Sequence, residues 1–383
     1  MSNLKNSRSL RVVVALIIPF AIFCYIYTFN PISTSIPAPA SISSPSVLTF
    51  TTSLSPQSPE ATTISTGILT STASTIASST SEPTAAKPTY TPPDKVWHSA
   101  KFDNLTQNQR QWTGSWTQKN PSLRQELLTD RSAEAFVRAH FNKTRPDIVE
   151  VYEGLQIPIL RADLFRYLVV LAEGGIWGDL DVTCEKEVTE WVPAEYRNQN
   201  IDIIVGLEFD MEWRGEGTGI ASQFCNWVFV GRKSSRNLQV VVDTVVKTLK
   251  DIAEKNSVGI DGIILEMLSD VVEVTGPKIM TIAILEGLGE LLGKPVDDRD
   301  FAGIKRPKLI GDVLIMPGVS FAALQNGNPT DQGDALVTHN YEGSWKKEDA
   351  EAKERKKQKE AEEKQQPQPP APPPAPATPA PET

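Results

Sequence analysis

Residues 161–184 read RADLFRYLVVLAEGGIWGDLDVTC, and local rules turn that string into a helix, a break and a strand end. Leu164, Leu168 and Leu171 recur at helical spacing, and Gly174-Gly175 supplies the positive-φ residue that commonly closes a helix. Asp163 and Arg166 stand three apart and therefore share a helix face. Past the break, Asp179 and Asp181 flank Leu180. Residues i and i+2 of an extended backbone point the same way, so two carboxylates converge. Such a pair repels itself unless a cation lies between. Oxygen ligands on a short rigid segment suit Mg2+ or Mn2+, and an ion held there can bridge a diphosphate and stabilise its departure. Exposed Asp-x-Asp pairs are common and usually only solvated, so the reading depends on what surrounds this one.

Outward from that stretch, residues 201–209 (IDIIVGLEF) and 226–231 (NWVFVG) predict buried strands. Residues 236–255 predict a helix whose apolar face is Leu238, Val241, Val242, Val245, Leu249 and Ile252. Ile260, Ile263, Ile264, Met267 and Leu268 repeat that pattern and predict another helix. The alternation points to an α/β domain with a mostly parallel sheet covered by helices. Glu208 and Asp210 follow a strand, where loop carboxylates of α/β sheets line ligand crevices. Trp112 and Trp116 have two readings, a platform for a glycan or part of the core. Cys184 and Cys225 are bridged or are free buried thiols; spacing alone does not choose.

Composition removes several function classes. With 38 basic against 47 acidic residues and a net charge of −9, no cationic excess exists to neutralise a nucleic-acid backbone. Three Cys and three His, without a CxxC pair, exclude a structural zinc cluster or a thioredoxin-like centre. Residues 287–293 have the wrong glycine spacing for a dinucleotide fingerprint, and no Walker loop, GxSxG or HExxH occurs.

The remaining segments set the expected organisation. Residues 12–29 form an uncharged apolar run long enough to span a bilayer, preceded by Lys5, Arg8 and Arg11 and followed by no basic residue before Lys87. That pattern predicts a type II anchor with residues 1–11 in the cytosol; a cleaved signal peptide ending near Ala38-Pro39-Ala40 is the alternative. Residues 30–93, rich in Ser, Thr and Pro, predict a disordered stem. The globular part is expected over 94–345. Residues 346–383, first charged and then Pro/Ala-rich, predict a solvated helix or a disordered tail. Asn104 and Asn142 head sequons that become usable in a secretory lumen.

Residues 161–182 resemble the donor-binding core of glycosyltransferase family 32, which carries a D-x-x-R helix, a Gly-Gly aromatic turn and an Asp-x-Asp. Further resemblances follow in order: GLEFD at 206–210 to G-x-E-x-D, QFCNW at 223–227 to Q-F-x-x-W, Thr275-Gly276-Pro277 to T-G-P, and HNYEGSW at 339–345 to H-H-x-x-G-S-W. The similarity is greatest to the fungal initiation-specific α-1,6-mannosyltransferase branch. Two positions depart from the pattern, Asn340 at the second His and Trp177-Gly178 in the aromatic turn. The resemblance implies a GT-A-like fold and a metal site of Asp179, Asp181 and His339 holding Mn2+ or Mg2+. It also implies that Asp163, Arg166 and Asp179 bind the donor, and that Glu208 or Asp210 steers the acceptor hydroxyl or stabilises the transition state. The implied reaction is retaining transfer of mannose from GDP-mannose to a glycan or glycoprotein acceptor at the Golgi membrane. Alternatives are an inositol-phosphoceramide mannosyltransferase, a UDP-sugar-dependent member of the family, and a non-catalytic mucin-like surface binding protein.

Overall fold

The computed structural model describes residues 90–211, 219–323, 333–343 and 346–365. The apolar run at 12–29, the stem up to residue 89, the tail from 366, and Ser344 and Trp345 of the closing motif lie outside the described residues. Among the described residues no helix is long and apolar enough to cross a membrane.

The strands are β1 (Lys95–Ala100), β2 (Arg124–Thr129), β3 (Gly175–Gly178), β4 (Val182–Cys184), β5 (Ile203–Asp210), β6 (Ser222–Phe224), β7 (Val228–Gly231), β8 (Lys308–Ile310), β9 (Val313–Met316) and β10 (Val337–His339). The helices are α1 (Gln107–Lys119), α2 (Asp130–Phe141), α3 (Pro146–Gly154), α4 (Pro158–Glu173), α5 (Arg236–Lys255), α6 (Val271–Val274), α7 (Pro277–Leu292), α8 (Gly318–Ala322) and α9 (Lys346–Gln365). The main sheet runs β2-β1-β3-β7-β5-β9-β8, with β6 paired to β5. Strands β2, β1, β3, β5 and β9 share one direction, whereas β7, β8 and β6 reverse it. The fold is therefore mixed α/β. Its sheet is mostly parallel by strand direction, with antiparallel β7 set between β3 and β5.

Period-two alternation explains the two-layered core. Along β5, Ile203, Val205 and Leu207 join the cluster under α4, α5 and α7, while Ile204 joins the opposite one with Trp116, Trp191 and Phe321. On β9, Val313 and Ile315 face the first cluster and Leu314 and Met316 the second. Gly206 interrupts β5 because Phe321 crosses there; a Cβ would stand 2.4 Å from its ring. Helix α5 forms over the expected residues, with Ser235 accepting the N–H of Leu238 as its cap and the predicted apolar face buried except for partly buried Ile252. Helix α4 starts on Pro158 and stops at Gly174, φ +67, where a Cβ would meet the Lys233 backbone nitrogen at 2.7 Å.

One expectation changes and two open alternatives are decided. Residues 260–268 form two 3-10 turns, Ile260–Gly262 and Leu265–Met267, because Gly259 and Gly262 weaken a continuous helix and Ile263 leaves the first turn in an extended conformation. Cys184 and Cys225 are free buried thiols. The charged segment from 346 is a helix that belongs to the compact unit rather than a detached tail. Lys353 reaches Asp270 at 2.7 Å, Arg355 reaches Glu266 at 2.8 Å, and Ala352 is buried beneath them.

Candidate active site

The carboxyl ends of β3 and β5 border a cavity of about 310 Å³ whose walls include Asp163, Arg166, Asp179, Asp181, Glu208 and His339. Residues from four separated segments thus meet at the edge where open α/β sheets bind ligands. Six of the seven site residues expected from the sequence are among them.

Helix α4 contributes Asp163 and Arg166, both buried. Their ion pair is 3.2 Å long, and Arg166 Nη1 also donates to the Asn226 carbonyl at 2.9 Å. Asp163 is saturated: it accepts from Asn226 Nδ2 at 3.2 Å and from the Thr275 hydroxyl at 2.9 Å. Tyr167, one turn on, accepts from the same Asn226 amide and donates to the Thr275 carbonyl. Burial raises the Asp163 pKa against the opposing pull of Arg166 and both hydrogen bonds. The resemblance gave Asp163 to donor binding; its contacts here make it first a brace that aims Arg166. Asn226 and Thr275 were visible only as members of quoted motifs, without a role.

The turn after β3 presents the two aspartates. Asp179 lies 3.5 Å from Arg166 and accepts from the Trp177 indole at 2.7 Å, both through Oδ1. Burial, with the neighbouring Asp181 charge, raises its pKa to about 6 despite Arg166, Trp177 and His339. Trp177, one of the two departures from the family pattern, therefore serves the site directly.

Asp181 is reached from the other side by the small antiparallel sheet β4-β10, which pairs His339 with Val182. His339 Nε2 stands 3.3 Å from Asp181 Oδ2, and the Glu342 N–H donates to the same oxygen at 2.9 Å. Burial pushes the Asp181 pKa up, but the hydrogen bond and charge of His339 and the Glu342 amide outweigh it, and the net shift is downward. Asn340, the second departure, donates to the Asp181 carbonyl from its amide at 3.0 Å and its backbone at 2.7 Å, and to Thr183 Oγ1 at 3.0 Å. It clips the closing segment onto the Asp-x-Asp turn. His339 is sandwiched between Trp227 at 4.4 Å and Tyr341 at 4.0 Å, and Tyr341 holds a left-handed backbone, φ 52.

Glu208 lines the cavity and accepts from Gln223 Nε2 at 2.9 Å; burial raises its pKa. Asp210 is not brought to the cavity. Its oxygens accept from Ser222 Oγ at 2.5 Å and from the Gly303 N–H at 2.6 Å, so it ties β5 to β6 and to the loop after residue 300. Two residues along the strand, a bulge between Leu207 and Phe209 shifts the register. Trp116 is core, with its indole donating to the Val182 carbonyl at 3.0 Å. Lys346, at the start of α9, adds a cation to the cavity wall.

Among the described residues no three His, Cys, Asp or Glu side chains are already gathered as a metal cage. The donor set nonetheless fits a hard divalent ion. Asp179 commits only Oδ1 and Asp181 only Oδ2 to side-chain and amide partners, leaving each a second oxygen, and His339 adds an imidazole.

Comparison with known proteins agrees with this geometry. Residues 106–198, which include both aspartates, match the family described as glycosyltransferase sugar-binding region containing DXD motif. The chain is 31% identical over 263 residues to the initiation-specific alpha-1,6-mannosyltransferase of Schizosaccharomyces pombe, a match covering 67% of this chain and 64% of that protein. It is 25% identical over 291 residues to the Candida albicans protein of the same description, covering 67% and 72%. A shorter match, 27% over 96 residues, covers 25% of this chain and 24% of the mannosyl phosphorylinositol ceramide synthase SUR1 of Saccharomyces cerevisiae.

Proposed function

From a chain that carries a DXD-containing sugar-binding region of the glycosyltransferase family 32 type, we propose a metal-dependent mannosyltransferase that moves mannose from GDP-mannose to a glycan acceptor. The observation that carries the reading is the pair Asp179 and Asp181, each with one oxygen uncommitted, beside the buried guanidinium of Arg166 in one cavity. Asp179 and Asp181, with His339, would hold Mn2+ or Mg2+. A bound ion supplies charge neutralisation to the pyrophosphate.

The bond that breaks joins mannose C1 to the β-phosphate oxygen, the bond that forms joins C1 to the acceptor oxygen, and the acceptor hydroxyl passes its proton to the departing phosphate oxygen. Arg166, fixed by Asp163, stabilises the negative charge that grows on the leaving diphosphate, and Lys346 adds a second positive charge at the wall. Asn226 and Thr275 keep Asp163, and through it Arg166, from turning away. Glu208 faces the same space with a carboxyl kept more basic by burial, suited to accept a hydrogen bond from the acceptor hydroxyl or to face the oxocarbenium-like centre. Transfer from an α-linked donor to an α-1,6 linkage retains configuration. The apolar run at 12–29, with basic residues before it, and the Ser/Thr/Pro-rich stretch after it support a type II Golgi enzyme with a luminal catalytic domain.

The test is a donor panel with the detergent-solubilised chain. GDP-mannose is expected to be turned over, and EDTA to stop the turnover until Mn2+ is restored. Full activity after exhaustive chelation, or turnover of UDP-hexoses in preference to GDP-mannose, would sink this reading.

A further inference from the structure

We propose that a second cavity, continuous with the first, is the nucleobase pocket of the donor, and that Asp130 makes it select guanine; this rests on the donor reading above. The second cavity has a volume of about 570 Å³ and lies over the carboxyl ends of β1 and β2. It shares Ser99, Gln109, Ile159, Ala162 and Leu180 with the cavity that contains the aspartates, so the two form one trough. Strand β2 is two places from β3 in the sheet, roughly 10 Å at the usual interstrand spacing. That is the scale of the step from a pyrophosphate, through a ribose, to a base.

The lining of this cavity suits a flat heterocycle. Phe102, Leu155, Ile159 and Phe165 supply apolar surface, and three charged groups stand among them: Lys101, whose ammonium lies over the Phe102 ring at 5.5 Å, Asp130 and Arg161. Asp130 makes no hydrogen bond or ion pair with any described residue. Arg161 is oriented by Glu134 at 2.9 Å and lies over the Tyr152 ring at 4.8 Å, yet its buried Nε has no hydrogen-bond partner among the described residues. The cavity therefore offers an uncommitted carboxylate beside the guanidinium of Arg161.

Guanine answers both. Its edge carries two adjacent donors, N1–H and N2–H, which one carboxylate accepts together, and O6, which accepts from a guanidinium. Uracil carries a single N3–H flanked by two carbonyl oxygens, and a carboxylate facing it gains one hydrogen bond and meets two like partial charges. Adenine places an acceptor, N1, where guanine has a donor. Discrimination of roughly ten- to a hundredfold follows from one such bidentate pair. Asp130 is also the first residue of α2, where an acidic side chain suits the helix dipole. That contribution does not distinguish one nucleotide from another.

The experiment measures binding of GDP and of UDP, each with Mn2+, to the full-length protein by titration calorimetry. The wild type is expected to favour GDP by about tenfold or more. Asp130→Asn presents one donor and one acceptor, which complements uracil, and is expected to bring the GDP:UDP ratio close to unity. Asp130→Ala, lacking both, weakens GDP without a gain for UDP, and its thermal midpoint reports whether the fold is intact. A wild-type preference for GDP that survives in both variants overturns the Asp130 assignment and leaves the donor reading standing. A wild type that binds neither nucleotide, or favours UDP, overturns the donor reading and this inference with it.

Discussion

Asp163 and Asp179 lie on opposite sides of one guanidinium, 3.2 and 3.5 Å from Arg166 Nη2, and they behave in opposite ways. Asp163 is enclosed, and Arg166, Asn226 and Thr275 together use both of its oxygens. Asp179 is partly exposed and uses one oxygen, and its pKa of about 6 shows that the fold tolerates its charge rather than stabilising it. A carboxylate that only braces is satisfied by the protein. One that waits for a ligand is left in deficit, and that deficit is what a bound cation would remove.

The largest effect separates these two roles. Asp179→Asn or Asp181→Ala is expected to lower kcat/KM by at least roughly a thousandfold, about 4 kcal/mol of transition-state stabilisation. The same Asp179→Asn should leave the metal-free protein as stable or more stable at neutral pH. A carboxyl whose folded pKa is raised contributes its stability below the unfolded value near 4 and loses it as pH rises through about 6, so at pH 7.5 its charge is a net cost. Urea midpoints of the two proteins in EDTA check this. A large fall for Asp179→Asn would make Asp179 a brace like its neighbour.

Asp163→Ala should do the reverse. It leaves the buried Thr275 hydroxyl without an acceptor and takes one of two partners from both Arg166 Nη2 and the Asn226 amide, at a cost of about 3 kcal/mol or more in unfolding free energy. Activity should fall because Arg166 is no longer aimed, and the urea midpoint should fall with it. An unchanged midpoint would return Asp163 to the role of a free donor ligand.

A comparable but pH-dependent effect comes from His98, on the strand beside β3. Its Nδ1 lies 2.6 Å from the Gly178 carbonyl, its Nε2 is buried without a hydrogen-bond partner among the described residues, and burial lowers its pKa to about 4. The neutral ring is the folded form. Its contribution is complete above the unfolded value near 6.5 and is lost as pH falls toward 4, in total about 3 kcal/mol. His98→Gln should reduce the pH slope of stability in that window by up to about 1.4 kcal/mol per unit. Equal slopes for the two proteins would mean that the imidazole is already charged in the fold.

What could be read from the sequence divides along the same line as these residues. Local pattern within one segment was enough for α5, for the stop of α4, and for the convergence of Asp179 and Asp181, because each is fixed by neighbours a few positions away. The closing motif identified His339, and β10 does bring it beside Asp181. What local pattern does not contain is the partner's address. Thr275 meets Asp163 across 112 positions and Asn226 across 63, so bracing looked the same as ligand binding. A buried strand reads alike whether its neighbours run with it or against it, which hid the reversal of β7. The charged segment from 346 looked merely solvated because its apolar content is slight, and its docking depends on Glu266 and Asp270, about 80 residues earlier. Two glycines sufficed to turn the apolar pattern at 260–268 into turns.

The smallest effect tests the one expected site residue that the fold leaves outside the cavity. Asp210 and Glu208 sit two positions apart on β5, yet Glu208 lies in the bulge between Leu207 and Phe209 whereas Asp210 pairs regularly with Ser222, and their partners differ. Glu208 faces the cavity beside Gln223, whereas Asp210 accepts from Ser222 and the Gly303 N–H. Asp210→Asn keeps an oxygen for one of those donors and loses the charge assistance to the other. The expected cost is about 1 kcal/mol of stability, with kcat for the proposed transfer changed less than about threefold. Glu208→Gln at the same strand end should instead depress kcat while leaving the urea midpoint near that of the wild type. If Asp210→Asn were the variant that lost turnover at unchanged stability, the β5 bulge would not separate a structural carboxylate from a working one, and the acceptor side of the site would have to be redrawn around the loop after residue 300.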